Sequence, residues 1–565
     1  MNMIFQNYQK IFDLKTIEKE VEDCFPYEKF FAGQKEAIIQ IVDSFINHGK
    51  KHVILEAPTG VGKTIIAFTA HRVLDKLLGS TRIKTTVTTT TKGLQAQYEK
   101  DTHTYDLKGK KNYMCPMGQE HYGTMGCKDL CSKKQCSPRR ECPYVKRRLN
   151  WTENSYWRCT NTALFIEMCP LLCMRPENKA DLVVFDECHK LPNTLLDHME
   201  VEFEPEQLSP VNVFYGRVSD IYTLGCEVHK EVNDRFKTKV GQLVTFPDSL
   251  LPKVADLNER LNAFLELINE KMAEESVSDT IKEVCWRVIE RCQDWSDTCE
   301  ILTDCGVAEF VVQHADEKKV SLKPVYPAHV SEYGLFRKAD YFIHMAATIC
   351  GLDAYAKLIG IKDGEYSKIS MAHPVEVDRR MVNFMPVAKM SGNAGENELA
   401  KVVAAINDLC QMHPGQNGLI HTASYKLAES IRDRSPLKRF MFIGRDRNQT
   451  MEILKMNAKN KTQVIVLSPS MEEGYDLSHD LCRWQAIAKV PFGYLGDPLV
   501  KYLSDKNPSA YVRETVLRVV QASGRVVRGV DDFGVTYILD SSFGGLLSRG
   551  DEFFPGWYQE ALREF

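Results

Sequence analysis

The sequence predicts an α/β protein in which two parallel-sheet domains follow one another and the first carries insertions. Short apolar runs alternate with helical stretches near both ends of the chain, and the region from about 196 to 330 departs from that alternation. With 565 residues, the chain also exceeds one ordinary domain, and its length suggests three or four.

In the first half, strands are predicted where a short apolar run ends at a turn or at polar residues. The run His52–Leu55 leads through a glycine-bearing turn into a helical stretch, Thr64–Leu78. Thr85–Thr91 precedes a second helical stretch, and Asp181–Phe185 stops at two acidic residues. This alternation predicts a mainly parallel sheet with helices on both faces.

The alternation returns after residue 340, where five more strands are predicted. They are Tyr341–Met345, Gly418–His421, Gln463–Leu467, Trp484–Val490 and Gly534–Leu539. In the region between, Leu251–Met272 and Thr280–Leu302 have the pattern of long helices.

Composition excludes several classes of protein. Hydrophobic residues make up 44% and charged residues 26%, which is ordinary for a folded globular chain. No apolar run approaches the roughly 18 residues of a membrane helix, and the first residues lack the pattern of a signal peptide. The sequence therefore predicts a cytosolic protein whose 18 cysteines stay reduced. A net charge of −4 neither favours nor excludes nucleic acid, because a basic channel can exist in a neutral protein.

A phosphate-binding loop is predicted between the first strand and its helix. Its residues are Ala57, Pro58, Thr59, Gly60, Val61, Gly62, Lys63 and Thr64, with Ala57 where the general pattern has its first glycine. Glycines let backbone N–H groups surround a phosphate, and the helix N-terminus adds positive potential. Lys63 would contact the β- and γ-phosphates of ATP, and the Thr64 hydroxyl would bind Mg²⁺.

Two acidic residues, Asp186 and Glu187, follow the strand 181–185 at the end of the sheet where ligands bind. Asp186 is suited to hold Mg²⁺ through water, and Glu187 to orient and deprotonate the attacking water. The pair is a weak signal alone, but together with Lys63 and Thr64 it predicts a nucleoside-triphosphate hydrolase.

Near the C-terminus, Gln521, Arg525 and Arg528 fall on one side of a predicted helix. They lie either on a solvated surface or opposite the γ-phosphate, if a second domain closes over the first. In the second case the arginines would spread the transition-state charge.

Motifs in a fixed order cover almost the whole chain. They are FPYEKFFAGQ (25–34), EAPTGVGKT (56–64), TTTTKGLQAQ (88–97), KGKKNYMC (108–115), TNTALF (160–165), VVFDECHKL (183–191), MAATI (345–349), GLIHTASY (418–425), EEGYDL (472–477), VPF (490–492), QASGRVVR (521–528), a DFG…ILD pattern (532–540) and PGW (555–557). On these motifs the chain resembles the XPD/DinG-like branch of superfamily 2 DNA helicases.

The resemblance implies two RecA-like motor domains and ATP-driven, 5′-to-3′ movement along single-stranded DNA. It implies a cytoplasmic, nucleoid-associated monomer that unwinds duplex or forked DNA and binds no membrane. By position, Gln34 resembles the nucleotide-sensing glutamine, Asp476 a nucleotide-contacting residue of the coupling motif with Glu473, and Thr348 the residue that couples the ATP site to DNA. Phe31, Cys188 and Ser542 stand where relatives often have arginine, alanine and arginine.

The resemblance also sets domain boundaries, listed here in chain order. Residues 1–111, 146–195 and 336–354 would form the first motor domain, 112–145 a cluster domain, 196–335 a helical arch and 355–565 the second motor domain.

Five cysteines, Cys115, Cys127, Cys131, Cys136 and Cys142, lie within 28 residues. Thiolates grouped in a reducing compartment indicate a metal site, with iron–sulfur, zinc and free thiols as the alternatives. Zinc sites more often use C-x2-C pairs, which this sequence lacks. The resemblance favours a 4Fe–4S cluster on all of them except Cys127, which would be spare.

Another trio, Cys285, Cys292 and Cys299, recurs at heptad spacing and predicts the buried face of a helix rather than a metal site.

Eleven basic and three acidic residues lie between Lys108 and Arg148, together with Tyr113, Tyr122 and Tyr144. Such a segment is either a solvated face or, around the cluster of a motor, a contact surface for single-stranded DNA.

Two other functions remain open. A translocase could strip proteins or RNA from DNA without unwinding it, and a scaffold subunit could use its ATPase only for regulation.

Overall fold

The computed structural model describes residues 12–79, 82–113, 142–168, 179–213, 219–273, 279–304, 309–392, 394–469, 477–529 and 531–565. The strands are β1 (His52–Glu56), β2 (Thr85–Thr89), β3 (Tyr105–Leu107), β4 (Trp157–Asn161), β5 (Ala180–Asp186), β6 (Val201–Phe203), β7 (Leu243–Thr245), β8 (Glu309–Ala315), β9 (Val320–Pro324), β10 (Ala339–Ala346), β11 (Tyr366–Ser370), β12 (Val382–Ala388), β13 (Gly418–His421), β14 (Met441–Ile443), β15 (Ile465–Ser468), β16 (Trp484–Ile487), β17 (Val535–Asp540) and β18 (Leu562–Glu564).

The α-helices are α1 (Leu14–Cys24), α2 (Gln34–Ile46), α3 (Lys63–Leu78), α4 (Lys92–Thr102), α5 (Pro143–Leu149), α6 (Thr162–Glu167), α7 (Leu191–His198), α8 (Ser219–Phe236), α9 (Leu251–Ala273), α10 (Asp279–Asp304), α11 (Ser331–Gly334), α12 (Leu352–Leu358), α13 (Glu396–Met412), α14 (Tyr425–Arg434), α15 (Arg447–Asn460), α16 (Pro498–Lys506), α17 (Pro508–Ser523), α18 (Ser542–Gly550) and α19 (Gly556–Ala561). Within the described ranges, no helix is both long and apolar enough to cross a membrane.

Two seven-stranded sheets dominate the fold. The first has the order β11-β1-β10-β5-β2-β4-β3 and the second β14-β15-β13-β16-β17-β12-β18. Every pairing in both sheets is parallel. The predicted α/β class with two parallel-sheet domains is therefore confirmed.

The first sheet is buried on both faces, as a parallel sheet covered by helices requires. Successive residues of β1 belong to different cores: Ile54 packs in one apolar cluster, and Val53 and Leu55 pack in the other. All five residues of β1 are buried, so the strand that leads into the phosphate loop is held from both sides.

The first sheet includes residues beyond position 354, where the predicted first motor domain ends. β10 lies between β1 and β5, and β11 pairs with the outer edge of β1. Residues 366–370 therefore belong to the first sheet, and the second sheet begins at β12. Parallel pairing between strands this far apart in the chain leaves no local sequence signal.

The insertion assigned to 196–335 combines helices with a small sheet. The two predicted long helices are present as α9 and α10, which pack against each other. Beside them, β6, β9, β8 and β7 form an antiparallel sheet that the sequence analysis missed, since three of these strands have five residues or fewer. Cys285, Cys292 and Cys299 are buried in α10, and burial raises the pKa of Cys292 to about 12.

Candidate active site between the two parallel sheets

The phosphate loop has the backbone that its glycines permit. Gly60 and Gly62 adopt φ values of 90° and 75°, in the region that favours glycine, and Lys63 is the first residue of α3. A Cβ atom at Gly62 would lie 2.5 Å from the Gln34 amide nitrogen, so a larger residue there would displace the Gln34 side chain. The Lys63 Nζ lies 3.4 Å from the Ala57 carbonyl oxygen, across the mouth of the loop.

Gln34, the first residue of α2, is buried against this loop. Its Nε2 donates a hydrogen bond to the Val61 carbonyl (2.8 Å), and its Oε1 accepts one from the Phe31 N–H (2.9 Å). The side chain is only 2% exposed. In this arrangement Gln34 supports the phosphate loop through the Val61 backbone.

Asp186 ends β5 close to the start of α3. The Tyr98 hydroxyl donates a 3.1 Å hydrogen bond to the Asp186 carboxylate, and it also shares a hydrogen bond with the Thr64 hydroxyl. One phenol thus joins the two residues predicted to bind Mg²⁺, and their oxygen atoms suit a hard divalent cation. Tyr98 lies on α4, and because no motif marks it, the sequence alone does not predict its role.

Glu187 follows with φ 58° and ψ 45°, a left-handed backbone that is unusual for a glutamate. Its carboxylate lies 3.3 Å from the His189 Nδ1. Such strain often occurs at functional sites, where the surrounding structure holds a side chain in one direction.

The two carboxylates differ in their electrostatic surroundings. Burial, together with the neighbouring Glu187 charge, raises the pKa of Asp186 to about 7. Burial also opposes ionisation of Glu187, but positive charges led by Lys63 and including Arg528 outweigh it, so the pKa of Glu187 lies below its ordinary value. Glu187 is therefore the carboxylate that stays ionised.

A cavity of about 500 Å³ separates the first parallel-sheet domain from the second. Pro58, Thr59 and Glu187 line one wall. Gln521, Arg525, Arg528 and Trp557 line the opposite wall, and Thr348 and His373, which follow β10 and β11 of the first sheet, also line the cavity. The structure therefore brings together residues that the sequence analysis selected from two distant parts of the chain.

The prediction that Gln521, Arg525 and Arg528 share one side of a helix is wrong, because the helix ends at Ser523 and both arginines follow it in a loop. Asp532 fixes this loop at Arg528. This fully buried carboxylate accepts hydrogen bonds from the Arg528 N–H (3.1 Å) and the His479 N–H (3.1 Å), and from the Arg483 guanidinium (2.7 Å). Asp532 is the first residue of the DFG…ILD pattern, from which the sequence alone predicts no role for its side chain.

A second cleft, of about 380 Å³, opens beside the first. Hydroxyl, amide and ammonium groups predominate in its lining, which consists of Thr89, Thr90, Thr91, Lys92, Gln95, Lys108, Asn112, Asn161, Thr162, Ala163, Lys190 and Thr194. It shares Thr90, Thr91 and Lys190 with the 500 Å³ cavity, so the two spaces adjoin.

Several predicted site residues lie outside the described ranges. They are Cys115, Cys127, Cys131, Cys136, Glu473 and Asp476. Cys142 is described: it is buried and directly precedes α5. Within the part of the chain that the structure describes, no three His, Cys, Asp or Glu residues are grouped as a metal site would require. The iron–sulfur cluster therefore stays a prediction.

Three residues differ in type from those that relatives often have at the same positions. Cys188 is buried and shares a hydrogen bond with the hydroxyl of buried Tyr355, which agrees with packing rather than chemistry. Phe31 is 59% exposed beside the phosphate loop. Ser542 is the first residue of α18, and its N–H donates to Asp540.

Two protein families match separate parts of the chain, and a known helicase aligns with most of it. Residues 28–209 match the family described as type III restriction enzyme, res subunit, and residues 406–561 match the helicase C-terminal domain. The ATP-dependent DNA helicase DinG of Escherichia coli O6:H1 is 20% identical over 679 aligned positions, covering 93% of this chain and 92% of DinG.

Solved structures share the fold. The Xpd4 structure from S. tokodaii has a TM-score of 0.53 at 13% identity, covering 95% of this chain and 100% of that one. An apo XPD structure has a TM-score of 0.51 at 14% identity, covering 94% and 100%. The matched domains, the relative aligned over most of its length and the shared fold agree with the motifs, so the predicted resemblance to the DinG/XPD-like helicases of superfamily 2 is confirmed.

Proposed function

We propose that this chain hydrolyses ATP and uses the cycle to move 5′-to-3′ along single-stranded DNA and to unwind duplex or forked DNA. One observation carries the proposal. The 500 Å³ cavity has Pro58, Thr59 and Glu187 on one domain, and Gln521, Arg525 and Arg528 on the other. A nucleotide held in that cavity would touch both domains, so its hydrolysis would change how they attract one another.

The residues of the site divide the chemistry among them. The phosphate loop and Lys63 would bind the triphosphate, and Thr64 and Asp186 would hold Mg²⁺, which when bound neutralises charge on the phosphate oxygens. Glu187 stays ionised and is free to accept the proton of the attacking water. Arg525 and Arg528 would meet the charge that develops on the γ-phosphate oxygens.

The second cleft supports contact with a nucleic-acid strand. Its threonine, asparagine and lysine side chains are of the kind that bind phosphate and sugar groups without reading sequence. Lys108 is one of its lining residues, and two positions further along the chain the Lys110 ammonium is 5.9 Å from the centre of the Tyr144 ring. Because this cleft adjoins the nucleotide cavity, hydrolysis and strand movement would be coupled over a short distance.

The most direct test is a strand-displacement assay with ATP on a duplex that carries a 5′ single-stranded tail, beside the same duplex with a 3′ tail. We expect unwinding of the 5′-tailed substrate only. Lys63→Ala removes the charge on the phosphates and should abolish both unwinding and hydrolysis.

The two alternative functions, a translocase and a scaffold subunit, predict different results. Removal of a protein roadblock from single-stranded DNA, without strand displacement, would identify a translocase. An ATPase rate that single-stranded DNA does not change would favour the scaffold. Near-normal hydrolysis by Lys63→Ala would contradict the nucleotide site itself.

We further propose that Cys115, Cys131, Cys136 and Cys142 hold a 4Fe–4S cluster whose domain acts as the wedge at the fork. The support is their spacing and the resemblance of the chain to the DinG/XPD-like helicases. When bound, the cluster supplies a rigid centre to a segment of about 30 residues, which is too short to build its own core.

Cys142→Ser should therefore remove iron and abolish unwinding while ATP binding survives, since the two parallel sheets have their own cores. Iron and sulfide analysis of protein purified without oxygen measures the first effect, and nucleotide binding the last. Cys127→Ser is the matched control and should keep its iron. Loss of iron from the control but not from Cys142→Ser, or stoichiometric zinc in place of iron, would contradict the assignment.

A further inference from the structure

A loop of the first domain is embedded in the core of the second. Ile349 and Cys350 follow β10, and both are completely buried. Cys350 packs in the apolar cluster that also contains Val512 and Phe553 of the second domain. It adopts φ 60°, and Gly351 follows with φ 84°, so the chain turns sharply at this point. The two domains are therefore joined here by packing as well as by the connecting chain.

The backbone of this loop is held from both domains. On the first domain, the Glu56 carboxylate accepts hydrogen bonds from the N–H groups of Ile349 (2.6 Å) and Cys350 (3.1 Å). On the second, the Arg513 guanidinium donates to the carbonyl oxygens of Ile349 (2.6 Å) and Cys350 (2.8 Å). Arg513 is 2% exposed and Glu56 is 4% exposed, so water replaces neither contact.

Each of these two residues is connected along the chain to a part of the proposed nucleotide site. Glu56 is the last residue of β1 and directly precedes the phosphate loop. Arg513 lies near the start of α17, which ends at Ser523 just before Arg525. Its guanidinium also lies over the Tyr355 ring, whose hydroxyl hydrogen-bonds Cys188 behind Glu187.

We infer that Arg513 is a positioning residue, the fixed pivot about which α17 carries Arg525 and Arg528 toward or away from the nucleotide. The inference rests on the proposed ATP hydrolysis. From Arg513 to Ser523 the helix spans about 15 Å, at about 1.5 Å per residue. A tilt of about 10° at the pivot moves the far end by about 3 Å, enough to make or break a contact with a phosphate.

A guanidinium suits this role better than an ammonium would. Two N–H groups in one rigid plane fix the direction of the helix as well as its distance from the loop. Breaking one of these buried contacts leaves a carbonyl group without a partner, so the pivot resists release while the far end of α17 moves.

The test is a double-mutant cycle on kcat for ATP hydrolysis with saturating single-stranded DNA. Arg513→Met should lower kcat by about 10²-fold, the cost of misplacing a catalytic group by about 1 Å, and leave KM for ATP within about twofold. Arg525→Ala should lower kcat strongly in the wild-type background, but by about tenfold or less in the Arg513→Met background. The residual effect is small because the arginine is already misplaced.

Arg513→Lys keeps the charge and most of the volume, so it is expected to fold if Arg513→Met does not, and its kcat should lie between those of wild type and Arg513→Met. Arg549→Met, an exposed arginine of α18, is the matched control and should change neither constant. The pivot would be overturned if the fold losses in kcat from the Arg513 and Arg525 substitutions simply multiplied in the double variant, or if Arg513→Lys had the kcat of the wild type. In either case, an active wild-type protein would still support the proposed function. A wild-type protein without ATPase activity would overturn both.

Discussion

Arg525→Ala and Arg528→Ala should each lower kcat for ATP hydrolysis by about 10³–10⁵-fold, the range found for arginines that meet a transferring phosphoryl group. KM for ATP should change little, because the lost contact is strongest in the transition state. Both side chains line the wall opposite Glu187, and the charge of Arg528 already lowers the pKa of Glu187 across the cavity. Steady-state ATPase measurements with saturating single-stranded DNA give both constants.

The position of Arg528 allows the effect of its side chain to be measured separately from the effect of its loop. Asp532 holds its backbone N–H, so Arg528→Ala removes the side chain without releasing the loop. Arg549→Ala, an exposed arginine on α18, serves as the control and should leave both constants unchanged. A rise in KM with normal kcat would mean that these arginines bind ATP equally in the ground state and the transition state, and would contradict their proposed role.

Glu187→Gln should lower kcat by about 10²–10⁴-fold, the usual contribution of a general base. The glutamine keeps the size of the side chain and should leave ATP binding intact, because Lys63 and the phosphate loop are unchanged. The variant should therefore retain unhydrolysed ATP, which nucleotide extraction after rapid separation detects. We also expect it to keep binding single-stranded DNA.

Cys188→Ala is the matched control for this variant. It changes the next residue in the chain, which is buried and packs away from the nucleotide cavity. Alanine is common there in the family, so hydrolysis should continue at a similar rate. If Glu187→Gln turned over ATP almost as fast as the wild type, another group would have to activate the water.

The sequence predicted the backbone correctly where one short segment contains the whole pattern, and the chemical roles of its side chains stay predictions. The phosphate loop is such a segment, since its glycines, Lys63 and Thr64 are consecutive and follow a strand. The pair Asp186 and Glu187 is another, because it directly ends the strand that positions it. In both places the local pattern already contains the geometry.

Contacts between distant segments were not predictable in the same way. Tyr98 reaches Asp186, at the end of β5, from the helix α4, and Arg513 reaches Ile349 from another domain. Each of these pairs joins residues far apart in sequence, and a single chain without periodicity at those positions does not show which side chains will meet. The same reason explains why β11 was not expected in the first sheet.

The short strands β6, β7 and β9 escaped notice for a different reason. With three to five residues each, they are too short for an alternating pattern to emerge from the surrounding helical composition. Long, regular elements such as α9 and α10 were found because their apolar residues repeat over many turns.

During synthesis on the ribosome, β1 emerges long before any strand that pairs with it. Among the described residues, β1 pairs only with β10 and β11, and the partner of His52 in β10 is Phe342, 290 positions later. At roughly 5–20 residues per second, translating that interval takes roughly 15–60 s. Throughout that interval, an apolar strand with two open edges is a template for aggregation. A nascent chain shorter than about 340 residues has no β10 to pair with the strand that leads into the phosphate loop, so we expect that nucleotide cannot assist the folding of the first domain until β10 has been made.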